Sequence, residues 1–397
     1  MSLVRSTAFT RRGAQCTHRP HRSLHRLLGA AALAAASLGA AAFGAGGLSH
    51  AAISAQPAAA RAETAVQRHV VAYFPIWARN SGYSENDIDF NVVTDVAHFA
   101  VTPRPDGTIQ IPDWGPFPDP ALIVKTHAAG ARIVLVVGGD DEAARAGFSG
   151  LAAHESTRQE FVSDLLRLVD ANGYDGVDLD WEFPNSAADR DNLTALIAAL
   201  RAALGPNRSL SLAAAPTDYR GQWLDVAAIV PDLTWFSSMT YDMGGAGWSH
   251  YADDNAALHP GRPGEDNVAD SVAYYLGRGV PAEKLLIGLP FFGQRYDQAT
   301  GVYAPLAAPT NGSSPDYKDI AMLVNRGWTQ GRNAQTQTPY LQRQDGPGVI
   351  TFDDAASIAA KCRYVVSAAI GGVIVWRLGQ DVVANSQPLL HAAGACR

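Results

Sequence analysis

Tyr174-Asp175-Gly176-Val177-Asp178-Leu179-Asp180-Trp181-Glu182-Phe183-Pro184 alternates acidic and apolar side chains with the period of a β-strand. Asp178, Asp180 and Glu182 therefore point to one side, and Val177, Leu179 and Trp181 to the other. Apolar alternates flanked by Gly176 and Pro184 indicate a buried parallel strand rather than a solvated acidic edge. Three neighbouring carboxylates in such a strand are costly to desolvate, so the arrangement implies a function. Like charges at this spacing raise proton affinity, leaving one group protonated near neutral pH and another able to stay ionised.

Working outward, seven further short apolar or β-branched runs recur: Val70 to Phe74, Val96 to Val101, Ile133 to Val137, Leu210 to Ala215, Trp235 to Thr240, Leu285 to Leu289 and Val373 to Trp376. With Gly176 to Leu179 they make eight strand candidates. Amphipathic, helix-favouring stretches lie between several of them, at Ser156 to Ala171, Ala187 to Leu204, Asn267 to Leu276 and Ala355 to Val366. This alternation predicts an α/β fold, a TIM (β/α)8 barrel. A doubly wound open sheet has the same rhythm, but Pro75-Ile76-Trp77 stands after the first strand where a glycine-rich phosphate loop belongs. In a barrel, the acidic face of the 178–182 strand lines the interior at the C-terminal end, where barrels keep their chemistry.

At 397 residues, 47% hydrophobic and 17% charged, most of the chain is globular. Residues 1–60 differ. Six arginines (Arg5, Arg11, Arg12, Arg19, Arg22 and Arg26) precede an Ala/Leu/Gly run from Leu27 to about Leu48, and the first acidic residue is Glu63. The segment reads as an export signal with a short leader, and the protein as secreted. A transmembrane anchor is the alternative, weakened by the low hydrophobicity of alanine and glycine. Without those six arginines, 25 basic residues face 38 acidic ones, so the net charge falls from −7 to −13. Such a surface repels nucleic acid and suits a neutral substrate. Residues 66–397 form one domain, expected to be monomeric and without stable membrane association once the signal is removed. Cys16 falls in the signal, leaving Cys362 and Cys396 as a possible disulfide in an exported chain, with two free thiols as the alternative. No metal site or cofactor is suggested.

The run Asp175, Asp178, Asp180, Glu182 resembles the Asp-x-x-Asp-x-Asp-x-Glu signature of glycoside hydrolase family 18, the chitinase family. The resemblance extends from about Val70 to Asp381. Val71-Ala72-Tyr73-Phe74 is similar to the family's first strand, Met239-Thr240-Tyr241-Asp242 to the sixth, Leu286 to Phe291 to the seventh and Gly371 to Trp376 to the eighth. It implies a retaining hydrolase of N-acetylglucosamine polymers in which the substrate's acetamido carbonyl is the nucleophile. Glu182 would be the general acid. Asp180 would hold the acetamido N–H, Asp178 would share a proton or hydrogen bond with Asp180, and Asp175 would be structural. Tyr241, Asp242 and Met239 would line the acetamido subsite, and Trp376 would lie beneath the distorted sugar ring.

Two positions depart from the family pattern. The third strand ends Val136-Val137-Gly138-Gly139, so its two structural glycines are present but the usual serine is Val136; Tyr73, similar to the other partner of Asp178, remains. The seventh strand continues Phe291-Phe292-Gly293-Gln294 where Tyr-Gly-Arg is common. Altered pH dependence or subsite preference is the expectation. Residues 294–351 read as a small insertion between strands seven and eight, whose Tyr296, Tyr303, Tyr317, Trp328 and Tyr340 either wall the cleft or pack the insertion's own core. Trp77, Trp114, Trp223 and Trp248 follow strand ends and are candidates for a sugar-stacking track. A glycan-binding lectin on this fold typically lacks the terminal glutamate, which is present here. An enzyme of the family acting on N-glycans or peptidoglycan stays open.

Overall fold

The computed structural model describes residues 68–113, 115–307 and 312–397. The expected export segment, Cys16 and Trp114 lie outside the described residues.

Eight parallel strands close on themselves: β1 (His69–Pro75), β2 (Asp95–Pro103), β3 (Arg132–Gly139), β4 (Gly176–Trp181), β5 (Ser209–Ala214), β6 (Trp235–Ser238), β7 (Leu285–Pro290) and, after five short strands of an insertion, β13 (Gly372–Trp376). Each pairs with its neighbour in chain order, and β1 pairs with both β2 and β13, which completes the barrel. All eight expected strands are present. Helices cross between them: α1 (Pro120–Ala128), α2 (Glu142–Ala153), α3 (Glu155–Asn172), α4 (Ala187–Leu204) and α5 (Val268–Gly277). Side-chain oxygens of Asp119, Asp141, Ser186 and Asn267 cap α1, α2, α4 and α5 by accepting backbone N–H bonds in the first turn.

The period of two sorts each strand into two cores. Val70, Ala72 and Phe74 of β1, and Val177, Leu179 and Trp181 of β4, face outward into the helix-covered core. Val71, Tyr73, Ala97, Val134, Val136, Trp235, Leu286 and Ile374 fill the interior. The N-terminal end of the interior is held by Asp95, fully buried, which accepts from Thr94, His69 and Arg132. Burial raises the Asp95 carboxyl, but these partners outweigh it and hold the group below its ordinary range. The C-terminal end is left to the acids of β4.

Between β7 and β13, an antiparallel sheet forms from β8 (Gln294–Tyr296), β9 (Gly312–Ser313), β10 (Trp328–Arg332), β11 (Pro339–Arg343) and β12 (Val349–Thr351), in the order β9-β8-β12-β11-β10. Helix α6 (Tyr317–Leu323) packs Ile320 into one core with Trp328, Leu341 and Ile350 of this sheet. After it, α7 (Ala355–Ser367) leads into β13, and α8 (Pro388–Ala393) packs on α7. Among the described residues, no helix is long and apolar enough to cross a membrane.

Cys362 of α7 and Cys396 in the tail form a disulfide that spans 34 positions. It ties the terminal helix to the last barrel unit, and cross-linking a loop of this length stabilises by roughly 2–4 kcal/mol, mainly by restricting the unfolded chain. Replacing both cysteines with serine should lower the thermal midpoint by several degrees, while added reductant leaves the midpoint of that variant unmoved. Equal midpoints for the two proteins would show that the bridge contributes nothing.

Candidate active site

The register of the barrel builds the site around β4. Asp178 lies opposite Val136 on β3 and Ser211 on β5, and Asp180 lies opposite Gly138. Tyr73 donates its hydroxyl to Asp178 Oδ2 at 2.6 Å, and Ser211 donates to Oδ1 at 2.5 Å. Where Val136 offers no hydroxyl, the strand on the other side supplies one through Ser211. Each Asp178 oxygen thus accepts one hydroxyl donor. Asp180 is 3% exposed, and its Oδ1 has no protein partner among the described residues.

Close approach is secured by glycine. Gly138 has φ 118°, and a Cβ there would lie 2.1 Å from the Asp180 carbonyl oxygen. At Gly139, also at φ 118°, a Cβ would lie 2.9 Å from the Phe99 ring. Gly288 of β7 leaves space for Tyr241, whose ring would be 2.6 Å from an added Cβ. Asp175 faces away from the cavity, accepting from Ile133 N at 2.8 Å and contacting His127 Nε2 at 3.0 Å, and so ties β4 to its neighbours.

A cavity of about 240 Å³ opens at the C-terminal end of the strands. Asp180, Glu182 and Asp242 line it together with Met239, Tyr241, Tyr73, Trp77 and Trp376. Phe99 and Asp140 complete the lining, and neither was singled out from the sequence. Phe99 meets Trp376 edge-on at 4.8 Å and Trp77 at 5.7 Å, and Trp376 meets Tyr73 at 5.5 Å, so the four rings form one continuous aromatic wall. Its alternation with Ala97 along β2 was the signal for Phe99. Asp140 follows Gly139 directly, and only the turn beyond β3 brings it to Glu182.

The acids are strongly perturbed. Burial, then the charges of Asp140 and Asp242, push the Glu182 carboxyl up to about 8 against a smaller opposing effect of Arg145. Burial, then the charges of Glu182 and Asp178, raise Asp180 well above the carboxylate range. Asp178 rises to about 6 through burial, moderated by Ser211 and Tyr73. Asp242 also rises to about 6, because burial outweighs the hydrogen bond from Gln294 Nε2 to its Oδ1 at 2.5 Å. Gln294 therefore occupies the arginine position as a neutral donor. Asp242 has φ 54°, a left-handed conformation fixed by Asn255, which accepts from Asp242 N and donates to the Phe292 carbonyl.

The other aromatic candidates lie elsewhere. Tyr296 and Trp328 are buried in two small cores of the insertion, and Tyr303 bonds Asp254. None of the five insertion aromatics is among the residues that line the cleft, whereas Gln294, at the insertion's root, bonds Asp242 in it. Trp223 and Trp248 also lie outside the cavity lining, which leaves Trp77 as the described member of the proposed track.

These charges make a direct test. In Asp140→Asn, the Glu182 carboxyl should titrate below its starting value near 8, and in Arg145→Ala above it, as read by carbon NMR of labelled glutamate. Identical titrations in all three proteins would remove Asp140 as a charge acting on Glu182.

The chain matches the family described as "Glycosyl hydrolases family 18" over residues 69–381. It is 28% identical over 370 residues to "Probable chitinase 10" of Drosophila melanogaster, covering 83% of this chain and 16% of that protein. It is 31% identical over 289 residues to "Chitinase A1" of Niallia circulans, covering 63% of this chain and 40% of that one. The chain thus spans less than half the length of these two relatives. A solved structure of a glycoside hydrolase family 18 N-acetylglucosaminidase from Paenibacillus barengoltzii superposes with a TM-score of 0.72 at 26% identity, covering 83% of this chain and 100% of that one.

Proposed function

This chain belongs to glycoside hydrolase family 18, and on that premise we propose that it hydrolyses β-1,4-linked N-acetylglucosamine polymers, chitin and its oligosaccharides, by a retaining, substrate-assisted mechanism. The observation that carries the reading is Asp180 Oδ1, a buried carboxyl oxygen without a protein partner among the described residues, in a cavity shared with Glu182 and Tyr241. A buried acceptor of this kind is costly unless a ligand donor completes it. The acetamido N–H of N-acetylglucosamine is such a donor.

In this mechanism Glu182, protonated at neutral pH, gives its proton to the glycosidic oxygen as the bond to the anomeric carbon breaks. The acetamido carbonyl oxygen attacks that carbon from the opposite face and forms an oxazolinium ion. Asp180 accepts the acetamido N–H and stabilises the positive charge, which favours its ionised form once substrate is bound. Tyr241 donates to the acetamido oxygen and orients it for attack. Glu182, now a carboxylate, takes a proton from water as its oxygen adds to the anomeric carbon, which reopens the ring and restores both acetamide and acid. Asp178 acts through position: Tyr73 and Ser211 hold it beneath Asp180. Trp376 supplies an aromatic floor for the sugar's C–H face. The same reading has the protein exported, supported by the basic and then Ala/Leu-rich residues 1–60, and acting as a monomer.

Glu182→Gln keeps the shape of the side chain but not its proton, so turnover of N-acetylglucosamine oligomers should fall by two to four orders of magnitude with binding nearly retained. Near-normal turnover would remove Glu182 as the acid. The nucleophile is tested separately. Oligomers of glucosamine without the acetyl group at the cleaved ring should be nearly inert, and a thiazoline mimic of the oxazolinium ion should bind well below the substrate's KM. Trapping a sugar covalently bound to an Asp or Glu would overturn substrate assistance.

A further inference from the structure

A cavity of about 460 Å³ lies on the insertion and shares no lining residue with the cleft. β10 is the edge strand of its sheet, three strand spacings or about 14 Å from β8, whose Gln294 reaches the cleft. The pairs Thr329↔Gln342 and Gly331↔Tyr340 put these four residues on one face. The half-buried Tyr340 ring lies across Gly331, where an added Cβ would meet it at 2.3 Å. The opposite wall is Tyr303, held at φ 62°, a conformation uncommon for a bulky residue. Its hydroxyl donates to Asp254 and accepts from Asn333 Nδ2, and its backbone N–H donates to the Ala252 carbonyl, so this wall is rigid.

The tyrosine and glutamine of the sheet face are differently placed. Among the described residues, neither the Tyr340 hydroxyl nor the Gln342 side-chain amide has a hydrogen-bond partner. The one charged side chain of the lining, Arg332, is already paired with Asp354, and no carboxylate lines the cavity. A half-exposed ring backed by glycine, a free amide and a free phenol, with no unpaired charge, match a pyranose: the ring takes the C–H face, and the amide and phenol pair with an acetamido or hydroxyl group.

We propose that this face of the insertion is a second glycan-binding site, separate from the cleft, which takes a neutral N-acetylglucosamine chain. The ligand class rests on the activity proposed above. A polymer seated here is tethered beside the cleft, which raises its effective concentration there.

The experiment uses the full chain carrying Glu182→Gln, so that the N-acetylglucosamine tetramer is not consumed during calorimetry. Two binding events are expected. Tyr340→Ala added to this background should weaken one of them at least tenfold and leave the other, whereas Trp376→Ala should do the reverse. Gln342→Ala is the milder second variant and should weaken the same event as Tyr340→Ala, with an unchanged thermal midpoint as the check on folding. Retention on insoluble chitin should fall severalfold in both insertion variants. A single event lost on Trp376→Ala and unmoved by Tyr340→Ala and Gln342→Ala overturns the second site while the cleft reading stands. Binding lost on Tyr340→Ala but indifferent to Trp376→Ala supports the second site and sinks the cleft reading. Equal binding of a plain glucose tetramer at the insertion overturns the recognition of the acetamido group.

Discussion

The removal of β4's carboxylates from water is the constraint on which the rest of this barrel depends. An ion taken into the protein interior loses several kcal/mol of hydration unless new partners replace it. The molecule meets that cost unevenly. Asp178 receives two hydroxyl donors, whereas among the described residues Asp180 Oδ1 receives none. For Asp178, a rise from 3.8 to about 6 corresponds to roughly 3 kcal/mol of preference for the neutral form. A carboxyl raised in the folded state binds its proton more tightly there than in the unfolded chain. Its contribution to stability is therefore full below about pH 4 and is lost as the pH rises through 6 for Asp178 and through 8 for Glu182. The fold carries this burden in the pH range where a protonated acid is useful.

The rest of the interior follows from the same constraint. Glycines at 138, 139 and 288 remove side-chain bulk where the acids, Phe99 and Tyr241 converge. At the opposite end, Asp95 is surrounded by cationic and hydroxyl partners and held low. One barrel thus holds buried carboxylates in two protonation regimes, separated by the length of the strands and distinguished by their neighbours.

Much of this was legible in the sequence, for a local reason. Alternation along one strand is written in consecutive residues, so the eight strands, the inward acids and the outward Val177, Leu179 and Trp181 could be read directly. What could not be read depends on register between strands distant in sequence. Ser211 stands 33 positions from Asp178, and nothing around it marks it as a carboxylate partner. Gln294 and Asp242 are 52 positions apart and meet only because the insertion begins where β7 ends. Asp140 acts on Glu182 through space, and a charge in a turn carries no periodic signature. The insertion's aromatics show the converse, because Tyr296 and Trp328 are in a part of the chain that suggests a cleft wall yet turn into small cores of their own.

The Ser211–Asp178 contact has a bearing on ancestry. In a closed parallel sheet every strand has two flanks at the same height, so a carboxylate on β4 is equally reachable from position 136 and position 211. A lineage that carries serine on both flanks can discard either one without ever leaving the acid unsupported. The hydroxyl can therefore stand at either of these two positions, and a search template that insists on serine in the third strand will pass over proteins whose acid is equally well held.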